Sequence, residues 1–117
     1  MIPLPDQELF ERLWNSETTI DHPIIIYFTA SWCGACKRLD TEFLLEEFSD
    51  ISFYKCDIDE NKYTPGFCGV RSIPNFVALT GPRKVEGPFQ SSDTAKVAAW
   101  INTIRMHTRS RLDMAVR

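Results

Sequence analysis

The 117-residue sequence contains no apolar run approaching the roughly 18 residues needed to cross a membrane. It also has no excess of basic residues: 13 Lys and Arg stand against 16 Asp and Glu, giving a formal net charge of -3. A general nucleic-acid binder is usually basic overall, so this balance argues against a nucleic-acid partner. The length and the 44% hydrophobic content are typical of one folded domain, which we place over residues 1–117.

The first residues also lack the features of a secretory signal. Met1-Ile2-Pro3-Leu4-Pro5-Asp6 has neither a basic stretch nor a long apolar stretch. Cysteine is scarce, and the four present do not form a dense disulfide framework. In an intracellular chain, a CxxC pair indicates redox or metal chemistry rather than a structural crosslink. We therefore expect a cytoplasmic protein, monomeric and without membrane contact.

Apolar periodicity predicts alternating helices and strands. A first helix begins after Asp6, and a last helix is capped by Ser91, Ser92 or Asp93. Between them the pattern predicts strands over 23–30, 51–58, 75–80 and 84–89, a helix over 33–48 and a short helical turn within 59–69. The first half should pair strands in parallel through a right-handed crossover, and the second should add an antiparallel hairpin. The predicted fold class is α/β, with a central mixed sheet flanked by helices on both faces.

The motif Trp32-Cys33-Gly34-Ala35-Cys36 follows a buried strand and opens the predicted helix. Two thiols separated by three positions lie about one helical turn apart, so they can close into a disulfide ring. The positive end of a helix dipole at this point would favour a thiolate on Cys33. The motif therefore predicts dithiol–disulfide exchange, in which Cys33 attacks and the more buried Cys36 resolves the mixed disulfide.

This layout and motif resemble the thioredoxin family. Val70-Arg71-Ser72-Ile73-Pro74 is similar to the family's Ile-Pro segment, and Lys55-Cys56-Asp57-Ile58-Asp59 to the strand behind its active site. The resemblance implies a thioredoxin fold, a cis peptide bond before Pro74 and reduction of protein disulfides. It also implies substrate contacts by Trp32, Gly34, Ala35, Ile73 and Pro74. No cofactor would be bound, and electrons would come from NADPH through a flavoprotein thioredoxin reductase.

Several positions depart from the family pattern, and two of them bear directly on the dithiol chemistry. Ala35 replaces the usual proline, and Tyr27 replaces a buried aspartate to which proton transfer from the second cysteine is commonly assigned. A phenol with an ordinary pKa near 10 serves poorly as a base at about pH 7. We hypothesise that Lys55 lowers the pKa of Tyr27 or Cys36, so that the Tyr27 hydroxyl or a water relays the proton. The alternative is a Lys55 side chain that extends to solvent.

These departures leave other functions open. The chain is either a general reductase, a more oxidising or client-specific dithiol protein, or a non-catalytic binding module on the same fold. A zinc domain with Cys33, Cys36, Cys56 and Cys68 as ligands has poor spacing, so we expect no metal site. Cys56 is interpreted as a packing thiol and Cys68 as an inert or regulatory one. The basic segment 105–117 is interpreted as a solvated helix end or tail, with a patch for an acidic partner as the alternative.

Overall fold

The computed structural model describes the backbone of residues 1–116 and the side chains of residues 1–110. Its elements follow one another along the chain as β1 (Ile2–Pro3), α1 (Gln7–Trp14), a 3₁₀ helix (Glu17–Ile20), β2 (Ile24–Thr29), a second 3₁₀ helix (Ala35–Arg38), α2 (Thr41–Glu47), β3 (Ser52–Asp57), α3 (Tyr63–Phe67), β4 (Asn75–Gly81), β5 (Lys84–Gln90) and α4 (Thr94–Val116).

The strands form one sheet in the order β1-β3-β2-β4-β5. β2 pairs with β3 in parallel and with β4 in the antiparallel sense, while β4 and β5 form the predicted hairpin. All six residues of β2 are buried, as a strand covered on both faces requires. The predicted α/β class with a mixed sheet is confirmed.

The side chains of β2 alternate between two hydrophobic clusters, one on each face of the sheet. Ile25 and Tyr27 pack in a cluster with residues of α2 and α4 and with the Cys33–Cys36 pair. Ile26 and Phe28 pack on the opposite face, in a cluster formed with α1, Cys56 and Cys68. Helices therefore cover both faces, and the cysteine pair lies at one end of the first cluster.

The prediction of one continuous helix over 33–48 is wrong. The second 3₁₀ helix ends at Arg38, Leu39 is extended at φ -77° and ψ 133°, and α2 begins only at Thr41. Asp40 explains the restart, because its side chain accepts the Phe43 N–H at 3.0 Å and so caps α2. Cys33 therefore precedes a four-residue 3₁₀ helix, so the long helix dipole expected there is absent from this part of the described chain.

Helix capping elsewhere follows the sequence. Asp6 accepts the Leu9 N–H at 2.9 Å, and Asp93, rather than Ser91 or Ser92, caps α4 by accepting the Ala95 N–H at 2.9 Å. Two short elements, β1 and the first 3₁₀ helix, were not predicted, because two or four residues carry no recognisable periodicity.

In the basic C-terminal segment, Arg105 pairs with Asp50 at 3.2 Å. The side chains of Arg111, Asp113 and Arg117 lie outside the described residues. In the described part of the chain, no helix combines the length and apolarity that a membrane crossing requires.

Candidate active site

Cys33 and Cys36 form a disulfide immediately after β2, with their Cα atoms 5.3 Å apart. The Cys33 N–H donates to the Ala30 carbonyl at 3.1 Å, which turns the chain out of the strand. Both residues are buried, with 5% of Cys33 and 7% of Cys36 exposed. The two residues are thus almost equally buried, and their exposed fractions do not separate the expected attacking cysteine from the expected resolving one.

One backbone N–H is directed at the first sulfur. The Cys36 N–H donates to Cys33 Sγ at 3.1 Å. A hydrogen bond to a charged acceptor is stronger than one to a neutral acceptor, so this donor would favour a thiolate on Cys33 after reduction. The stabilisation thus comes from a specific N–H in the CxxC loop rather than from the dipole of a long helix.

Trp32 is 65% exposed, but its ring is held in place. Its Nε1–H donates to Asp59 Oδ2 at 2.8 Å. Asp59 was not predicted as a site residue, although its position after a predicted strand could have indicated this role. It follows β3, and the carboxyl ends of the parallel strands β2 and β3 meet at one edge of the sheet.

The Ile73–Pro74 peptide bond is cis, as predicted. The Gly87–Pro88 bond is also cis, which was not predicted. Ile73 and Trp32 line the same groove of about 280 Å³, together with Arg71 and Val70. The structure therefore brings Trp32 and Ile73 together beside the CxxC loop.

Gly34 and Ala35 differ in their surroundings. Ala35 packs against the first hydrophobic cluster. Gly34 is exposed, has an ordinary helical conformation (φ -65°, ψ -40°), and has no atom within 4 Å of the place where a Cβ would stand. Neither space nor backbone conformation requires glycine at position 34.

A second cavity of about 440 Å³ lies behind the disulfide and is lined by Tyr27, Lys55, Lys37 and both active-site cysteines. Tyr27 and Lys55 are opposite each other in the β2–β3 register, and the Tyr27 ring stacks on Phe76 at 5.0 Å. Burial raises the pKa of Tyr27, and a hydrogen bond with the Thr29 side chain opposes this only in part. The predicted lowering of the Tyr27 pKa is therefore wrong, because desolvation of the phenolate dominates.

The other two thiols are free and buried on the opposite face of the sheet. Burial raises the pKa of Cys56 to about 12, with the Cys68, Asp57 and Glu60 charges adding to it, and burial raises the pKa of Cys68 to about 12 as well. Both remain protonated thiols near neutral pH, as packing residues do. The sheet keeps them apart from Cys33 and Cys36, so the four sulfurs do not converge on a tetrahedral metal site.

Comparison with known proteins gives a consistent family match. The family model for thioredoxin matches residues 6–103. The chain is 31% identical over 103 residues to Thioredoxin H2-1 of Oryza sativa subsp. japonica, covering 86% of this chain and 74% of that protein. It is 42% identical over 65 residues to the chloroplastic Thioredoxin M2 of Arabidopsis thaliana, covering 53% of this chain and 35% of that one.

Solved structures agree with the sequence matches. The fold is similar to that of Fasciola hepatica thioredoxin, with a TM-score of 0.75, 28% identity, and coverage of 92% of this chain and 99% of that chain.

Proposed function

The chain belongs to the thioredoxin family of thiol–disulfide oxidoreductases, and from this premise we propose that it reduces disulfides in client proteins. The Cys33 thiolate attacks one client sulfur, forms a mixed disulfide and releases the other sulfur as a thiolate. Cys36 then loses its proton, attacks Cys33 Sγ and releases the second client thiol. Two electrons pass to the client, and the protein is left with the Cys33–Cys36 disulfide seen in the structure.

The observation that carries this proposal is the disulfide beside a groove lined by Trp32 and Ile73. We propose that an extended client segment lies in this groove, with Gly34, Ala35 and Pro74 contributing contacts. Backbone pairing along such a segment supplies affinity, and neighbouring pockets supply specificity.

Client positioning matters more than thiol acidity. Lowering a CxxC thiol pKa from about 8.5 to about 7, the value known for thioredoxin itself, raises the thiolate fraction at pH 7 about 16-fold. With a Brønsted slope near 0.45, the thiolate of lower pKa is about fivefold less nucleophilic, which offsets part of this gain. The net gain is about threefold, so a large acceleration over a free thiol has to come from the groove.

The test is reduction of insulin by wild type, Cys33→Ser and Cys36→Ser, with Cys56→Ala as the matched control on the opposite face. We expect Cys33→Ser to lose turnover, Cys36→Ser to trap a mixed disulfide, and Cys56→Ala to resemble wild type. Equal insulin reduction by wild type and Cys33→Ser would contradict the proposal and favour a passive binding module.

Family members need no bound cofactor for this exchange. We propose that this chain receives electrons from NADPH through a flavoprotein thioredoxin reductase. NADPH oxidation by such a reductase should depend on the concentration of this protein, and Cys33→Ser should abolish that dependence. A flat response to wild type would show that another donor reduces it.

A more oxidising dithiol protein is the second candidate, because a specific observation favours it. Lys37 and Lys55 line the cavity behind the disulfide, and positive charge stabilises the reduced, thiolate-bearing form. Stabilising the reduced form makes a dithiol pair a stronger oxidant. Equilibration with thiol redox buffers separates the candidates, with about -270 mV for thioredoxin and about -120 mV for DsbA as markers.

We further propose a cytoplasmic monomer. Cys56 and Cys68 are free thiols, which fits a reducing compartment, although the Arabidopsis relative is chloroplastic. Fractionation of cells expressing the tagged chain tests the compartment, and light scattering of the purified protein tests the oligomeric state.

A further inference from the structure

The cavity behind the disulfide carries charge of one sign. Lys37 and Lys55 line it together with four hydroxyl-bearing residues: Tyr27, Thr29, Ser31 and Thr41. Within the part of the chain that the structure describes, no carboxylate lines this cavity. Apolar side chains and the two cysteines form the rest of the lining, so its polar side chains are cations and hydroxyl groups, which suit an oxyanion.

The two lysines are available to a ligand. Among the described residues, neither Lys37 nor Lys55 forms an ion pair, and both side chains are exposed. The carboxylates that adjoin the cavity along the chain are engaged with backbone: Asp40 accepts the Phe43 N–H, and Asp57 accepts the Asp59 N–H at 2.9 Å.

Position makes this charge relevant to the chemistry. Cys33 and Cys36 line the same cavity as the two lysines, so a group bound there lies next to the exchanging sulfurs. A volume of about 440 Å³ falls in the usual range for small-ligand cavities.

We propose that this cavity is a subsite for the carboxylate arm of small organic disulfides, so that the protein reduces anionic small disulfides in preference to cationic ones. The inference rests on the proposed dithiol function and adds a substrate class to it. Lys37 and Lys55 attract the carboxylate, and the hydroxyl groups donate hydrogen bonds to its oxygens. The groove lined by Trp32 and Ile73 remains the place for protein clients.

The Cys33 thiolate attacks one sulfur of RS–SR, the S–S bond breaks, and one RS⁻ leaves as the Cys33–SR bond forms. Cys36 releases its proton to solvent and attacks Cys33 Sγ, which releases the second RS⁻. The protein dithiol is oxidised by two electrons, and RS–SR is reduced to two thiols.

Three disulfides with two methylene groups in each arm but different terminal charge test the proposal: 3,3'-dithiodipropionate, bis(2-hydroxyethyl) disulfide and cystamine. Each second-order rate constant with the reduced protein is divided by that of free 2-mercaptoethanol, which removes the intrinsic reactivity of the disulfide. We expect the anionic-to-cationic ratio to be about tenfold at low salt and to approach one near 1 M salt.

Matched lysine variants locate the effect. Lys37→Gln and Lys55→Gln should each lower the anionic-to-cationic ratio about threefold, whereas Lys62→Gln, an exposed lysine next to α3, should leave it unchanged. Using a ratio within each variant removes any change in basal thiol reactivity. A wild-type ratio near one, or an equal drop in Lys62→Gln, would overturn the subsite. Failure to reduce even the neutral disulfide would instead contradict the proposed function.

Discussion

The Trp32 indole Nε1–H donates a hydrogen bond to Asp59 Oδ2 at 2.8 Å, which joins the CxxC loop to the residue that follows β3 by two positions. This contact fixes the direction of an aromatic ring that is otherwise mostly exposed. The ring lines the same groove as Ile73. The orientation of Trp32 in the proposed client groove therefore depends on the Asp59 carboxylate.

Removing that carboxylate should weaken protein reduction selectively. We expect Asp59→Ala to lower kcat/KM for insulin about twofold to fivefold, because the freed indole no longer holds one orientation. Reduction of bis(2-hydroxyethyl) disulfide should change little. Glu60→Ala is the control, since it deletes the neighbouring exposed carboxylate. Equal effects of the two substitutions on insulin would indicate a general charge effect instead.

Gly34 and Gly87 should respond oppositely to alanine. Gly34→Ala meets nothing within 4 Å and keeps an ordinary conformation, so it should stabilise the fold by about 0.4–1 kcal/mol. In Gly87→Ala the new Cβ would lie 2.8 Å from the Phe76 carbonyl oxygen, and the alanine would have to adopt the φ of +103° found at this position. This should lower the free energy of unfolding by about 1–3 kcal/mol. Urea denaturation measures both, and similar midpoints for the two variants would contradict the backbone geometry.

Tyr27→Phe should leave the pH–rate profile unchanged between about pH 6 and about pH 9. The raised pKa of Tyr27 keeps the phenol protonated across this range, so it offers no base. The ring should stay stacked on Phe76. The measurement is kcat/KM for insulin against pH. Loss of a titration step in the variant would contradict this prediction and show that Tyr27 takes part in proton transfer.

The buried thiols should make stability fall in alkali. Each thiol ionises near 9.0 in the unfolded chain and near 12 in the folded one, so the folded state holds more protons between these values. The stabilising contribution of these thiols to the free energy of unfolding is therefore complete below about pH 9. It falls by up to about 1.4 kcal/mol per pH unit for each thiol as the pH rises toward about 12.

A Cys33→Ser, Cys36→Ser background leaves Cys56 and Cys68 as the only thiols and prevents disulfide exchange. Urea midpoints at about pH 8, 9 and 10 should fall, and adding Cys68→Ala should make that decline about half as steep. An unchanged slope after this substitution would mean that Cys68 is accessible to ionisation in the folded protein.

Local sequence determined much of this protein. Apolar patterns along the chain predicted the α/β class, the burial of β2 and the location of the cysteine pair at its end, because each depends on residues close along the chain. Asp6 likewise marked the start of α1, since a cap contacts a backbone N–H three residues away.

Only the tertiary structure decided which distant groups share the site. The Trp32–Asp59 contact spans 27 positions, and it exists because the parallel pairing of β2 and β3 brings their carboxyl ends together. The opposition of Tyr27 and Lys55 follows from that same register, while burial, which no linear pattern measures, raised the Tyr27 pKa. The break at Leu39 and Asp40 placed Lys37 on a short 3₁₀ helix lining the cavity, because a side-chain cap overrode the apolar period.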